Sequence, residues 1–288
     1  GKDSADLGKD TSGNGNDFIN ANAVQVTDTP TNNYAVMNPL TTETQTLSNG
    51  NLTADSGARG VYGGSRATFA VPSSGKWYWE TDVTEQSTTT GCWFVVGMGT
   101  SAVDLNATFT GKSGSICYAD RNDMRGIWNQ IPEVTRSSSI HFVTGDVLQC
   151  AYDADTGKFW FGKNNAWWTS SAGTTGNPST GTDETLIADT TERWFPYLQL
   201  EVTSGSTTNS TGDMNFGQLP LAYAPPTGFK TLSTNNLPDG ILAKLNPDVS
   251  IGLSTTFYID NDDLDLTVTN NASYRNVSAT ILPEGLKC

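Results

Sequence analysis

A single histidine, His141 in the run SIHFV, is available for any acid–base chemistry built on imidazole. A Ser/His/Asp relay needs a hydroxyl and a carboxylate to converge on that one ring, and a lone histidine in a strand-like run reads first as a packed or surface residue. Glycoside hydrolysis needs two carboxylates about 5 to 10 Å apart across the scissile bond. Glu80, Glu133, Asp153 and Glu201 are available, but no spacing pairs two of them on one face. The chain is therefore expected to bind rather than turn over a substrate, and a polysaccharide-degrading hydrolase is the alternative.

Metal chemistry has one foothold. In DTSGNGND, Asp10, Ser12, Asn14 and Asn16 alternate around Gly13 and Gly15, like the first half of a Ca²⁺ loop. The twelfth position is Ala21, where a bidentate Glu is required. A Gly/Asn turn is the preferred reading; Asp10, Asn14 and Asn16 are the weak metal candidates, and neither a metal nor a cofactor is expected. Cys92, Cys117, Cys150 and Cys288 lack CxxC spacing, and three of them sit in apolar runs. They are expected to be small buried thiols.

Binding chemistry is more visible. The segment 118–136, YADRNDMRGIWNQIPEVTR, interrupts the strand pattern and gathers Tyr118, Asp120, Arg121, Asp123, Arg125 and Trp128. It reads as a loop, and Trp with Arg is the mix that dominates binding energy at interfaces. Trp167 and Trp168 are adjacent, so on a strand one faces inward and one outward; Trp168, after KNNA, is the candidate for stacking on a sugar or peptide.

The elements that must position these residues are strands. Charged residues make up only 16% of the chain, which has 8 Trp, 9 Tyr and 11 Phe and no helical pattern. ATFAV, KWYWETDVT, CWFVVGM, SICYA, IHFV, VLQCAYD, KFWFG, FPYLQLEV and DMNFG are short apolar or alternating runs separated by turn residues. VLQCAYD and KFWFG flank DADTG, whose Asp and Gly suit a tight turn, so residues 145–168 contain a hairpin. The proline-rich QLPLAYAPPTGFK, residues 218–230, cannot run through a central strand and reads as an extended strap. The expected fold is all-β, an antiparallel β-sandwich with extended terminal segments: a turn-rich lead-in at 1–56, the sandwich at 57–230, and a linker with a β-rich segment at 231–288.

That last segment repeats earlier sequence. YAVMNPL (34–40) matches LAKLNPD (242–248), SNGNLT (48–53) matches DDLDLT (262–267), and the opening of ATFAVPSSGKW (67–77) matches ATILPEGLKC (279–288), in the same order and about 208 residues apart. Residues 240–288 are expected to open a second, similar module.

The net charge of −14 opposes binding to nucleic acid and to anionic membrane surfaces. No apolar stretch reaches the roughly 18 to 20 residues that span a bilayer, so membrane insertion is not expected.

The core resembles a SPRY domain, a concanavalin-like β-sandwich used as an interaction module. The residues that carry the likeness are GKWYWE (75–80), VVGMG (95–99), GDVLQCAYDADTGKFWFGKN (145–164) and NFGQ (215–218). The flanks LGKDTSGNGNDF, TPTNNYAVMNPL, LSNGNLT and PPTGFKTLSTNNLP are similar to SPRY-containing tail-fibre and other virion appendage proteins of tailed bacteriophages. That resemblance implies a structural or adhesive protein on the exterior of a virion. Its expected partners are other virion subunits, in a homo-oligomer, and a host cell-surface glycan or protein. A purely architectural spacer or decoration subunit is a further alternative.

Overall fold

The computed structural model describes residues 8–10, 12–19, 32–42, 44–57, 60–105, 114–121, 124–129, 133–135, 141–170 and 173–237, together with strands at 244–245, 257–260, 265–268 and 279–280. At 61, 121, 124–126, 128–129, 133–135 and all strands beyond 237, the description is of the main chain alone.

Strands β1 (Thr46–Ser48), β2 (Thr53–Asp55), β4 (Lys76–Glu85), β9 (Val147–Asp153), β10 (Lys158–Lys163), β11 (Ala166–Trp167) and β14 (Thr211–Asn215) form the path of the larger sheet, in the order β1-β2-β14-β4-β9-β10-β11. Two short strands complete its nine: β12 (Leu186–Ile187) beside β10, and β15 (Lys230–Thr231) parallel to β4. The smaller, six-stranded sheet runs β3-β13-β5-β6-β7-β8, from β3 (Val61–Arg66), β5 (Trp93–Gly99), β6 (Ser115–Arg121), β7 (Met124–Asn129), β8 (Glu133–Thr135) and β13 (Phe195–Val202). The predicted 147–163 hairpin is β9–β10, with Gly157 at φ 75° closing its turn by donating to the Asp153 carbonyl.

The main core lies between the sheets. Trp77, Trp79 and Phe161 of the larger sheet and Phe94, Tyr118 and Leu198 of the smaller belong to one buried cluster. Cys92, Cys117 and Cys150 are buried thiols outside any disulfide, and burial pushes the Cys150 thiol well above its usual range. Two expected strands take other forms. ATFAV contributes a single bridge, Met37 to Ala67, and residues 141–143 of IHFV are a loop because the Phe142 amide donates to the Asp120 carboxylate instead of a neighbouring strand.

The sandwich extends beyond 57–230 on both sides. Ala35, Met37 and Ala54 on one side and Leu232 on the other are in the main core, and Tyr34 bridges Ser233. Polar, proline-containing sequence disguised these pieces, in which only scattered residues turn inward.

Both sheets are also covered on their outer faces. Tyr78, Ala151, Trp160 and Trp167 point away from the main core and pack with Phe229 and Leu221 of the proline-rich strap. Glu80 fastens that strap: its carboxylate accepts the Ala222 and Tyr223 amides at 2.8 and 2.9 Å and the Tyr78 hydroxyl at 2.5 Å. On the smaller sheet, Trp93, Val95 and Tyr197 pack with Val103 and Leu105, in a loop held by Arg66 donating to the carbonyls of Thr100, Ser101 and Val103.

Removal of the Glu80 carboxylate would take away the acceptor of the buried Tyr78 O–H, leaving it only the bond it accepts from Gln149 Nε2, and would loosen the strap. Glu80→Ala is expected to cost about 2 to 4 kcal/mol in denaturant unfolding and to open residues 219–228 to limited proteolysis. Near Glu80, β4 places Asp82 opposite Asp213, and partial desolvation at this exposed position, then the charges of Glu80 and Asp213, hold Asp82 above the usual carboxylate range. A carboxyl so raised favours the fold while protonated, and that contribution is lost as pH rises through the raised value. Asp82→Asn should therefore raise Tm at pH 7, an advantage that fades below about pH 3.5, where both side chains are neutral; an equal gain at both pH values would refute the electrostatic cause.

Candidate functional site

Strand direction gathers several connections at one end of the sandwich, among them residues 86–92 after β4, residues 141–146 before β9, the β10–β11 turn, and residues 203–210 between β13 and β14, beside the ends of β6 and β7. Side-chain hydrogen bonds brace several of them. The Gln86 amide donates to Thr144 Oγ1 at 3.0 Å, the Ser87 amide donates to Ser210 Oγ at 3.1 Å, and the Ser87 and Ser206 hydroxyls meet at 2.7 Å. Asp146 accepts from the Val143 amide and from Asn164 Nδ2, and lies 3.4 Å from Lys163 Nζ. Lys163 also donates to the His141 carbonyl at 2.7 Å.

At the centre of this bracing is Asp120, fully buried at the end of β6. Its Oδ2 lies 2.6 Å from His141 Nδ1 and accepts the Phe142 amide at 2.8 Å. A carboxylate desolvated to this degree requires such partners. The pair therefore pins the 141–146 loop to the smaller sheet, while the imidazole, one-third exposed, lines an open groove. Gln86, Ser87, Thr88, Val143 and Thr144 form the rest of that groove, which has a volume of about 220 Å³. Val143 is 48% exposed, an apolar surface beside polar groups held in place. Preformed apolar and hydrogen-bonding surface of this kind suits a sugar ring or a short peptide segment.

The structure redistributes the residues singled out from sequence. The segment 118–136 is not a loop but chiefly the β6–β7 hairpin, with Tyr118 paired to Ile127 and Asp120 to Arg125. Tyr118 and Asp120 are fully buried and cannot touch a ligand directly. Alternation along β6 turns Tyr118 into the main core, where its ring meets Phe142, Phe161 and Trp168. Trp168 is likewise buried, at 2% exposure. The two tryptophans do face opposite ways, but the outward one is Trp167, and the strap covers it. Arg121, Arg125 and Trp128 lie on the hairpin strands, and its tip brings Arg121 and Arg125 to the same end as the groove. Their side chains, and Asp123 altogether, lie outside the described residues. His141 was weighed only for catalysis; a signal for its actual setting, a buried acid 21 residues upstream, is invisible without the fold.

The N-terminal candidates do come together, in a loop closed by the Phe18 amide donating to the Gly8 carbonyl at 2.7 Å. Asp10 accepts from the hydroxyl and amide of Ser12 and from the Asn16 amide, which lower its pKa. Asn14 donates to Ser12 Oγ. The carboxylate is engaged by the loop's own donors, the geometry of an Asx turn rather than of a cation cage. Among the described residues no group of three or more His, Cys, Asp or Glu is placed to hold a metal ion, and no helix is long and apolar enough to cross a membrane.

Because Asp120 is wholly desolvated, His141→Ala should destabilise the protein by about 1 to 3 kcal/mol and speed amide exchange at Phe142. If both quantities stay at wild-type values, the pair does not hold the loop.

The chain is similar to the SPRY domain of human HERC1 (17% identity, TM-score 0.45, 64% of this chain and 99% of that one covered). It is also similar to another human SPRY domain (15%, 0.43, 62% and 99%) and to the TRIM65 PSpry domain (12%, 0.42, 63% and 91%). No curated protein matches the sequence. Residues 76–187, the stretch from β4 through β12, match the family model of the SPRY domain.

Proposed function

We propose that this chain is a non-catalytic binding module that engages a host cell-surface glycan or protein through the groove beside His141. The observation that carries this reading is a preformed groove of about 220 Å³ on loops braced to both sheets. SPRY domains are typically protein-interaction modules, and recognition by loops on a rigid sandwich needs no reacting groups. The likeness of LGKDTSGNGNDF, TPTNNYAVMNPL and PPTGFKTLSTNNLP to appendage proteins of tailed phages supports an exterior virion setting, with other virion subunits as neighbours in a homo-oligomer. In that setting many copies act together, and weak individual sites give firm attachment. The acidic balance of the chain, −14, favours a neutral or basic ligand over a polyanion.

The test is binding of fluorescently labelled 288-residue chain to a panel of bacterial cells and to glycan extracted from their envelopes. Val143→Asp and Thr88→Arg change the groove without touching a buried side chain. Each should lower binding at least tenfold, about 1.4 kcal/mol, with Tm within about 2 °C of wild type. Binding that survives both substitutions would move the site elsewhere. Shortening of the polysaccharide during incubation, abolished by His141→Ala, would favour the hydrolase instead.

A further inference from the structure

Beyond the sandwich, two small ladders recur in an order already met at its start. β16 (Lys244–Leu245) pairs with β19 (Ala279–Thr280), and between them β17 (Phe257–Asp260) pairs with β18 (Asp265–Val268). In the sandwich, Met37 bridges Ala67, and between them β1 pairs with β2. Both ladders enclose an antiparallel hairpin within an antiparallel closing pair.

The register is the same too. Ala279 lies 212 positions after Ala67 (279 − 67), and at that offset Leu47↔Ala54 becomes Ile259↔Leu266, Ser48↔Thr53 becomes Asp260↔Asp265, and Thr46↔Asp55 becomes Tyr258↔Thr267. Each of these is a pair of the second hairpin. The closing pair also carries over, since Met37 aligns with Leu245 through the shared Asn-Pro, and Leu245 pairs with Ala279 as Met37 does with Ala67. Asn49, Leu52, Tyr62, Ala67 and Thr68 are identical at the 212 offset to Asn261, Leu264, Tyr274, Ala279 and Thr280. The register of the hairpin sets SNGNLT (48–53) against residues 260–265, two positions before the DDLDLT match, and the difference between the 208 and 212 offsets falls before the hairpin, where the first copy has a 3-10 turn at Pro39–Thr41.

The chemistry of the aligned positions follows what the first copy requires. Met37, Leu52, Ala54 and Ala67 belong to the main core and Leu47 packs against it; their counterparts are Leu245, Leu264, Leu266, Ala279 and Ile259. In a chain that is 36% hydrophobic, retention of apolar character at all of these positions is a packing constraint.

We propose that residues 242–280 are a second copy of the sandwich's opening, and that the outer edge of β18 is the docking edge for a β14-type closing strand of a second sandwich. In the first copy the corresponding edge of β2 pairs with β14, Ala54 lying opposite Gly212. Among the described residues β18 pairs with β17 alone. A polypeptide with two such sandwiches in series displays two loop ends, which is one route to the multivalency that weak sites need.

Transplantation tests this in the full chain. Residues 46–55 are replaced by 258–267, once as they stand and once with Leu266→Ala to match the small Ala54. A third chain carries a scrambled hairpin at the same place. If the hairpins are copies, at least one transplant keeps a single cooperative melt and β14 amide exchange within about threefold of wild type, whereas the scramble accelerates it tenfold or more. Loss of β14 protection in both transplants to the extent of the scramble overturns the proposal. So does the absence of cross-strand Hα contacts between Leu245 and Ala279, and between Ile259 and Leu266, in the unaltered chain.

Discussion

The groove depends on the aromatic contact at Tyr118. From β6 of the smaller sheet its ring reaches Phe161 on β10 of the larger sheet at 6.2 Å, Trp168 just beyond β11 at 4.5 Å, and Phe142 in the loop before β9 at 5.2 Å. Each such pair contributes about 0.5 to 1.5 kcal/mol beyond the area it buries. Position matters more here than magnitude, because three separate segments are fixed by one ring. Phe142, so fixed, brings its amide and the neighbouring His141 to Asp120, two residues along from Tyr118 on the same face of β6. An irregular loop thereby acquires the rigidity of the sheets, and the groove's shape follows from the core.

Much of the fold was legible because it rests on short-range physics. Alternation in KWYWETDVT, VLQCAYD and KFWFG, with DADTG between the last two, leaves a strand and a tight turn as the only local solutions. What alternation cannot tell is whether the outward residues meet water. Trp167 and Trp168 were correctly assigned opposite faces, but the outer face lies under a strap that returns from residues 218–230. The density of charge in YADRNDMR suggested a loop, although Ile116, Tyr118 and Asp120 alternate with Cys117, Ala119 and Arg121 as a strand should. Asp120 was read as a ligand-facing residue of that loop, whereas it is buried and its partner lies 21 residues downstream. The same long-range bond explains IHFV, whose composition favours a strand while its amide is committed to a side chain.

The polar segments that join the sandwich from outside 57–230 show the complementary failure. Met37, Leu47 and Ala54 are separated by Asn, Thr and Pro, so no window around them is apolar enough to announce a core. They matter because edges and outer faces must be closed, and a few inward side chains on an irregular path suffice. Glu80 illustrates how such a path is held: one buried carboxylate, satisfied by two strap amides and a phenol, keeps the cover over Trp160 and Trp167.

Covering both outer faces has a consequence for binding. With the strap over the larger sheet and Val103 and Leu105 over β5 and β13 of the smaller, part of the flat surface that a sandwich could offer to a partner is spent on itself. At the end beside His141, connections from β4, β9 and β13 are bonded to one another or to the sheets, so ordering them on contact with a ligand costs little conformational entropy. Under the binding role proposed above, repetition of the unit would strengthen attachment while leaving this construction intact, because a second sandwich would add a second loop end without altering the packing that shapes the first.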